Sequence, residues 1–218
     1  MSITTNLHEI KASLPDDVKL VAVSKTMPVD ALQEAYEAGQ RIFGENRIQE
    51  MQEKQMQLPD DVEWHMIGHV QTNKIRFMAP FVHMVHGCDS LKMLAEINKE
   101  AKKNNRIISC LLQVHIAQES TKFGFTADEV IKLVETGEIF EFSNLKIVGL
   151  MGMATNTSDQ EIVRSEFRKL KKLSEFCVGL RPQMNEVSMG MSGDYKLAID
   201  CGSTMVRIGS SIFGSRPF

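Results

Sequence analysis

Short apolar, β-branched runs alternate along the chain with longer stretches whose apolar residues recur every three or four positions. The short runs predict strands at 20–24, 41–44, 64–67, 82–86, 107–116, 147–153, 186–189 and 204–208. The longer stretches predict helices. Residues 28–38 place Val29, Leu32, Ala35 and Tyr36 on one face, with Gly39 as a C-terminal stop. Residues 90–103 repeat the pattern with Leu91, Leu94, Ala95 and Ala101, and Thr126 ahead of Asp128 and Glu129 reads as a helix cap. The longest helix, 158–177, carries the stripe Val163, Phe167, Leu170, Ser174 and Cys177. A further helix at 5–13 precedes the first strand.

Eight strands, each followed by a helical or turn segment, predict an α/β chain folded as a single (β/α)8 TIM-type barrel with an extra N-terminal helix, one domain over residues 1–218. That length is near the lower end for the fold, so the barrel uses the whole chain. A doubly wound open sheet is the structural alternative, since periodicity does not report closure. The glycine fingerprint for dinucleotides is absent after the first strand.

Composition adds exclusions. Hydrophobic residues at 43% and charged residues at 24% describe an ordinary globular chain, and a net charge of -3 gives no general attraction for nucleic acid or anionic lipid. The one basic cluster, Arg168-Lys169-Leu170-Lys171-Lys172, falls on a predicted helix and reads as its solvated face. No signal segment or membrane span is evident. Cys88, Cys110, Cys177 and Cys201 are widely spaced, which suits reduced, packed thiols in a cytoplasmic protein; Cys201 stands before a turn and could be partly exposed.

Candidate chemistry gathers at the strand ends. Lys25 ends the run Lys19-Leu20-Val21-Ala22-Val23-Ser24-Lys25, on the face where barrels place reactive groups. Partial burial there disfavours the ammonium and frees an amine for Schiff-base chemistry, although a lysine marking the strand's exit into water fits the same position. Glu45-Asn46-Arg47 follows strand two and Gly68-His69 strand three. Ser192-Gly193 after strand seven, opening a short helix, and Gly209-Ser210-Ser211 after strand eight occupy the loops where barrels bind phosphate. A capping serine and a turning glycine would look the same. A Schiff-base lysine with a phosphate cradle suggests pyridoxal 5′-phosphate (PLP). Arg207, two residues before Gly209, then faces the pyridine ring or makes a salt bridge at the barrel end; a guanidinium there would keep the ring nitrogen unprotonated. His65, His69, His83 and His86 have no carboxylate or cysteine completing a metal site, His83 and His86 fall on opposite strand faces, and no serine nucleophile elbow is present.

These motifs together resemble the YggS/PROSC family of pyridoxal phosphate homeostasis proteins, relatives of the alanine racemase barrel domain. The matching segments are Val21-Ala22-Val23-Ser24-Lys25-Thr26, Phe43-Gly44-Glu45-Asn46-Arg47, Trp64-His65-Met66-Ile67-Gly68-His69, Ser188-Met189-Gly190-Met191-Ser192, and Gly202-Ser203-Thr204-Met205-Val206-Arg207-Ile208-Gly209. The resemblance implies that Lys25 carries PLP as a Schiff base, that Arg207 faces the pyridine nitrogen, that Ser192 and the Gly209-Ser210 backbone hold the phosphate, and that Asn46 lies beside the cofactor. Val70, His115 and Gly87-Cys88 depart from the usual family residues.

Racemisation needs acid–base groups on both faces of the substrate carbon. Tyr36, on an apolar helix stripe, and Tyr195, one helical turn after Ser192, are the only tyrosines. The first reading is therefore a non-catalytic, monomeric PLP carrier or buffer that serves amino- and keto-acid balance, with amino acids and PLP-dependent apo-enzymes as partners. A narrow-specificity amino-acid racemase and a phosphate-binding barrel isomerase are the alternatives. Lys74 and Lys122 are rival Schiff-base positions.

Overall fold

The computed structural model describes residues 2–118 and 123–214. Its elements run α1 (Ile3–Ala12), β1 (Lys19–Val23), α2 (Val29–Glu37), β2 (Ile42–Glu45), α3 (Ile48–Gln55), β3 (Glu63–Met66), α4 (Ile75–Met78), β4 (Met84–Cys88), α5 (Leu91–Lys103), β5 (Ile108–Val114), α6 (Ala127–Thr136), β6 (Leu145–Gly152), α7 (Gln160–Leu180), β7 (Glu186–Ser188), α8 (Tyr195–Asp200), β8 (Met205–Ile208) and α9 (Ser210–Phe213). Every strand pairs in parallel with the next, and β1 pairs with β8 through Lys19–Met205, Leu20–Val206, Val21–Arg207 and Ala22–Ile208. The last pairing closes the sheet and rules out the doubly wound alternative. Each predicted strand is present with ends shifted by a few residues.

Helix starts follow local capping chemistry. Ser2 accepts from the Thr5 N–H, which begins α1 earlier than the apolar spacing indicates. Thr126 and Glu129 form a reciprocal capping box at α6. The Asp159 carboxylate takes the N–H groups of Glu161 and Ile162, so α7 starts at Gln160. α1 is tied to α2 by Glu34, which accepts from both the N–H and the hydroxyl of Thr4, and to α9 by Asn6 donating to the Ile212 carbonyl at 3.0 Å.

Strand alternation sorts the core into two populations. Outward residues such as Phe43, Trp64 and Leu112 pack under the helices with Leu32, Met51, Ile97 and Phe167. Inward residues Val21, Met84, Leu111, Val148, Met151 and Met205 fill the barrel. The same alternation aims Lys19, Val21, Val23 and Lys25 inward in succession. Lys19 lines a cavity at the strand starts, whereas Val23 and Lys25 line a cleft at the strand ends.

All four cysteines are buried and free, Cys201 included. Among the described residues, no helix is long and apolar enough to cross a membrane.

Candidate functional site

Lys25, Asn46, Ser192, Arg207, Gly209 and Ser210 line one cleft of about 500 Å³ at the C-terminal mouth of the barrel. Val23, Met27, Ile67, Met153, Met191 and Phe213 supply its apolar lining.

A buried ionic cluster holds the backbone around Lys25. Lys54 Nζ donates to the Ser24 carbonyl, to Glu45 Oε1 and to Glu50 Oε1, each at 2.7 Å, which uses all three ammonium donors. The Ser24 hydroxyl donates to Glu45 Oε1 at 2.7 Å, and the Thr26 N–H donates to the Glu50 carboxylate. Thr26 has φ +64°, a left-handed conformation unfavourable for a β-branched residue, and the Glu50 contact helps to hold it there. Burial pushes the Glu45 carboxyl above its ordinary range, while the Lys54 ammonium and the Ser24 hydroxyl pull it down. Sequence reading missed this clamp. α3 buries only Ile48, Met51 and a lysine, too little apolar surface to announce a helix.

Asn46 follows β2, and its side-chain oxygen Oδ1 is buried without a hydrogen-bond partner among the described residues. Gly68 makes its placement possible. A Cβ on Gly68 would stand 2.5 Å from the Asn46 carbonyl oxygen and 2.8 Å from its Cα, so only glycine allows the β3 exit to lie against this loop. His69 turns outward to Asp89 at 3.1 Å and stacks on Phe123.

The loops after β7 and β8 meet directly. The Gly209 N–H donates to Ser192 Oγ at 3.3 Å. A Cβ on Gly209 would lie 3.0 Å from the Val23 carbonyl oxygen and narrow the cleft beside Lys25. Ser192 does not open a helix as its spacing suggests. It stands in a turn where Asp194 accepts from the Met191 N–H at 2.6 Å, and α8 begins at Tyr195. Ser210 opens α9 after Gly209.

Arg207 is buried in the barrel and held by three donated bonds: Nη1 to the Ser188 carbonyl at 2.9 Å and to Ser188 Oγ at 2.6 Å, and Nη2 to the Gly152 carbonyl at 3.2 Å. Burial lowers its pKa to about 10, with Asp194 acting in the opposite sense, so the group is cationic at neutral pH. No carboxylate pairs with it among the described salt bridges, which replaces the salt-bridge reading from sequence with hydrogen bonds to neutral oxygens.

Other sequence candidates stand elsewhere. The Tyr195 hydroxyl meets Ser13 Oγ at 3.4 Å, away from the cleft. Tyr36 packs its ring against the core, but its hydroxyl donates to Asp61 at 2.8 Å and Arg41 covers the ring. Lys74 ends a short turn, Thr72–Lys74, outside the cleft lining. Lys122 lies outside the described residues. Cys88 is buried in β4, where burial raises its thiol pKa. The His115 N–H donates to the Phe125 carbonyl at 2.9 Å. Among the described residues, no group of three His, Cys, Asp or Glu side chains is arranged to hold a metal ion.

The alanine racemase N-terminal domain model matches residues 1–217. A pyridoxal phosphate homeostasis protein of Vibrio alginolyticus is 43% identical over 209 residues, covering 94% of this chain and 89% of the relative. One from Aquifex aeolicus is 39% identical, covering 92% and 88%. The structure of PipY from Synechococcus elongatus PCC7942 without PLP superposes with a TM-score of 0.92 at 33% identity, covering 98% of this chain and all of that one. The PipY structure with PLP bound gives 0.88 at 32% identity, with the same coverage. An alanine racemase from Clostridium difficile shares the barrel fold, with a TM-score of 0.81 at 17% identity, and this chain covers 56% of its length.

Proposed function

The chain belongs to the pyridoxal phosphate homeostasis proteins, built on the alanine racemase N-terminal domain fold, and we propose that it binds PLP in the cleft at the C-terminal mouth of its barrel and acts as an intracellular carrier or buffer of that cofactor. The observation that carries this reading is the convergence of Lys25, Arg207 and the Ser192–Gly209 turn pair on one cleft.

The residues present suit the group. Asn46 Oδ1 is a buried acceptor without a partner among the described residues, and Gly209 leaves space that a Cβ would fill. Bound PLP would supply an aldehyde reactive toward amines, on a ring that withdraws electrons from the carbon attached to such an amine. Lys25 presents the amine, with its backbone held by Lys54 and Glu50. Ser192 and the backbone at Gly209 and Ser210 would hold the phosphate, and Arg207 would stand toward the pyridine nitrogen as a donor that cannot become a base. Asn46 would lie beside the cofactor, with Oδ1, unpartnered among the described residues, as an acceptor.

The lining supports a carrier over a racemase. Among the described side chains lining the cleft, Lys25 is the one amine and Arg207 the one other ionisable group, a guanidinium that stays cationic, whereas racemisation needs an acid–base group on each face. The working unit in this reading is the single barrel domain, a cytoplasmic monomer. Amino acids and apo-enzymes that use PLP are its partners, because an incoming amine competes with Lys25 for the aldehyde.

Titration with PLP, followed by absorbance, tests the reading. Wild type gains a saturable visible–near-ultraviolet band and Lys25→Ala does not. Equal bands in both proteins, or turnover of a common amino acid by the loaded protein, would overturn the carrier assignment.

A further inference from the structure

A chain of hydrogen bonds crosses the barrel behind Arg207. Arg207 Nη1 donates to Ser188 Oγ at 2.6 Å, Ser188 Oγ meets His86 Nδ1 at 3.0 Å, and His86 Nε2 meets His65 Nδ1 at 3.0 Å. Ser188 and His86 are fully buried, and His65 is 2% exposed. Arg207 lines the cleft at the strand ends, while His65 lines a cavity of about 540 Å³ at the strand starts. The chain therefore joins the two mouths of the barrel through an interior otherwise filled by Val21, Met84, Leu111 and Met205.

Its direction follows from donor chemistry. A guanidinium only donates, so Ser188 Oγ accepts from Arg207. If His86 Nδ1 also donated to that oxygen, the hydroxyl hydrogen would need a third partner, and the described bonds to Ser188 Oγ come only from Arg207 and His86. Ser188 therefore donates to His86 Nδ1, His86 Nε2–H donates to His65 Nδ1, and both rings are neutral with the hydrogen on Nε2.

We propose that Ser188 and His86 are positioning residues that lock the Arg207 guanidinium against the cofactor ring, with His65 anchoring this one-way donor chain at the opposite mouth; the cofactor part of this inference rests on the function proposed above. The charges around the chain favour its neutral form. Burial lowers the His65 pKa to about 3, assisted by His83 and Lys19, and lowers that of His86 well below the ordinary histidine value, assisted by His65 and Arg207. Glu63 and Glu186 line the same lower cavity; Glu186 is bound to Lys19, and Glu63 stands 3.8 Å from His83.

Two measurements decide the matter. Two-bond nitrogen–proton spectra of ¹⁵N-histidine-labelled protein without PLP should show His65 and His86 as Nε2–H tautomers, unchanged from about pH 8 to about pH 5.5. A hydrogen on His86 Nδ1, or titration of either ring in that range, overturns the donor chain. In PLP titrations, Ser188→Ala and His86→Leu should raise the dissociation constant about tenfold and move the bound-cofactor absorbance maximum. His86→Asn, which restores an acceptor for Ser188, should recover most of both losses. If His86→Leu fails to fold, Ser188→Ala and His86→Asn carry the comparison. Wild-type affinity and spectrum in Ser188→Ala would overturn the positioning role. If wild type takes up no PLP, the proposed function falls, the cofactor role falls with it, and the histidine spectra decide the donor chain.

Discussion

Lys54 Nζ donates to the carbonyl oxygen of Ser24 at 2.7 Å, and Ser24 is the residue before Lys25. A buried ammonium on one helix thus fixes the backbone that carries the proposed attachment point. Removing one partner of such a cluster leaves the other buried and unpaired, which costs about 3–5 kcal/mol. Lys54→Met should lower the unfolding free energy by that order, measured by urea denaturation, and should weaken PLP binding with Lys25 intact. Lys54→Met combined with Glu45→Gln should regain part of the stability, since it removes the stranded carboxylate. A single variant as stable as wild type would contradict the clamp.

The buried histidines make a pH prediction with a definite sign. The folded chain holds His65 at about 3 and His86 well below its ordinary value, whereas the unfolded chain protonates both near pH 6.5. The unfolded state therefore binds more protons below that pH, and stability is lost as pH falls, by up to about 1.4 kcal/mol per pH unit for each ring. Glu45 acts in the opposite sense: its raised folded pKa contributes stability at low pH that is lost as pH rises through that value. Denaturation curves at pH 7 and pH 5.5, conditions above about pH 5 where an ordinary carboxyl is mostly ionised, should show lower stability at the acidic value. His86→Asn should flatten that difference; an equal slope in the variant would contradict it.

Ser192 Oγ accepts from the Gly209 N–H and faces the proposed phosphate end. Ser192→Ala should weaken PLP about tenfold, because a hydrogen bond to a charged group is lost. Pyridoxal, which lacks the phosphate, should bind wild type and variant alike. An equal loss for both ligands, measured by fluorescence or absorbance titration, would place the phosphate elsewhere.

Competition for the aldehyde should govern release. Loaded protein dialysed against buffer containing an amino acid should lose its absorbance band faster than in buffer of equal ionic strength without an amine. An unchanged rate would contradict release by amine exchange.

The barrel was legible because short apolar, β-branched runs regularly alternate with amphipathic helical stretches, a pattern written locally along the chain. Lys25 and Arg207 were legible because each stands near the C-terminal end of such a run, on the face where barrels place their chemistry. Their supports were not. Lys54 sits on a helix with few apolar residues, and its bond to Ser24 spans thirty positions. His86 meets Ser188 across 102 positions, and strand phase does not report which inward residues touch. The placement of Ser192 in a turn rather than at a helix start depended on Asp194 taking the Met191 N–H, a local contact that spacing alone did not select.

The central claim is that Lys25 holds PLP. Borohydride reduction of the loaded protein, followed by peptide mapping, tests it most directly. The account predicts a pyridoxyl label on the peptide carrying Lys25 and its absence from that peptide in Lys25→Ala. A label at Lys74 or Lys122 in the wild-type protein, or no label at all, would contradict it.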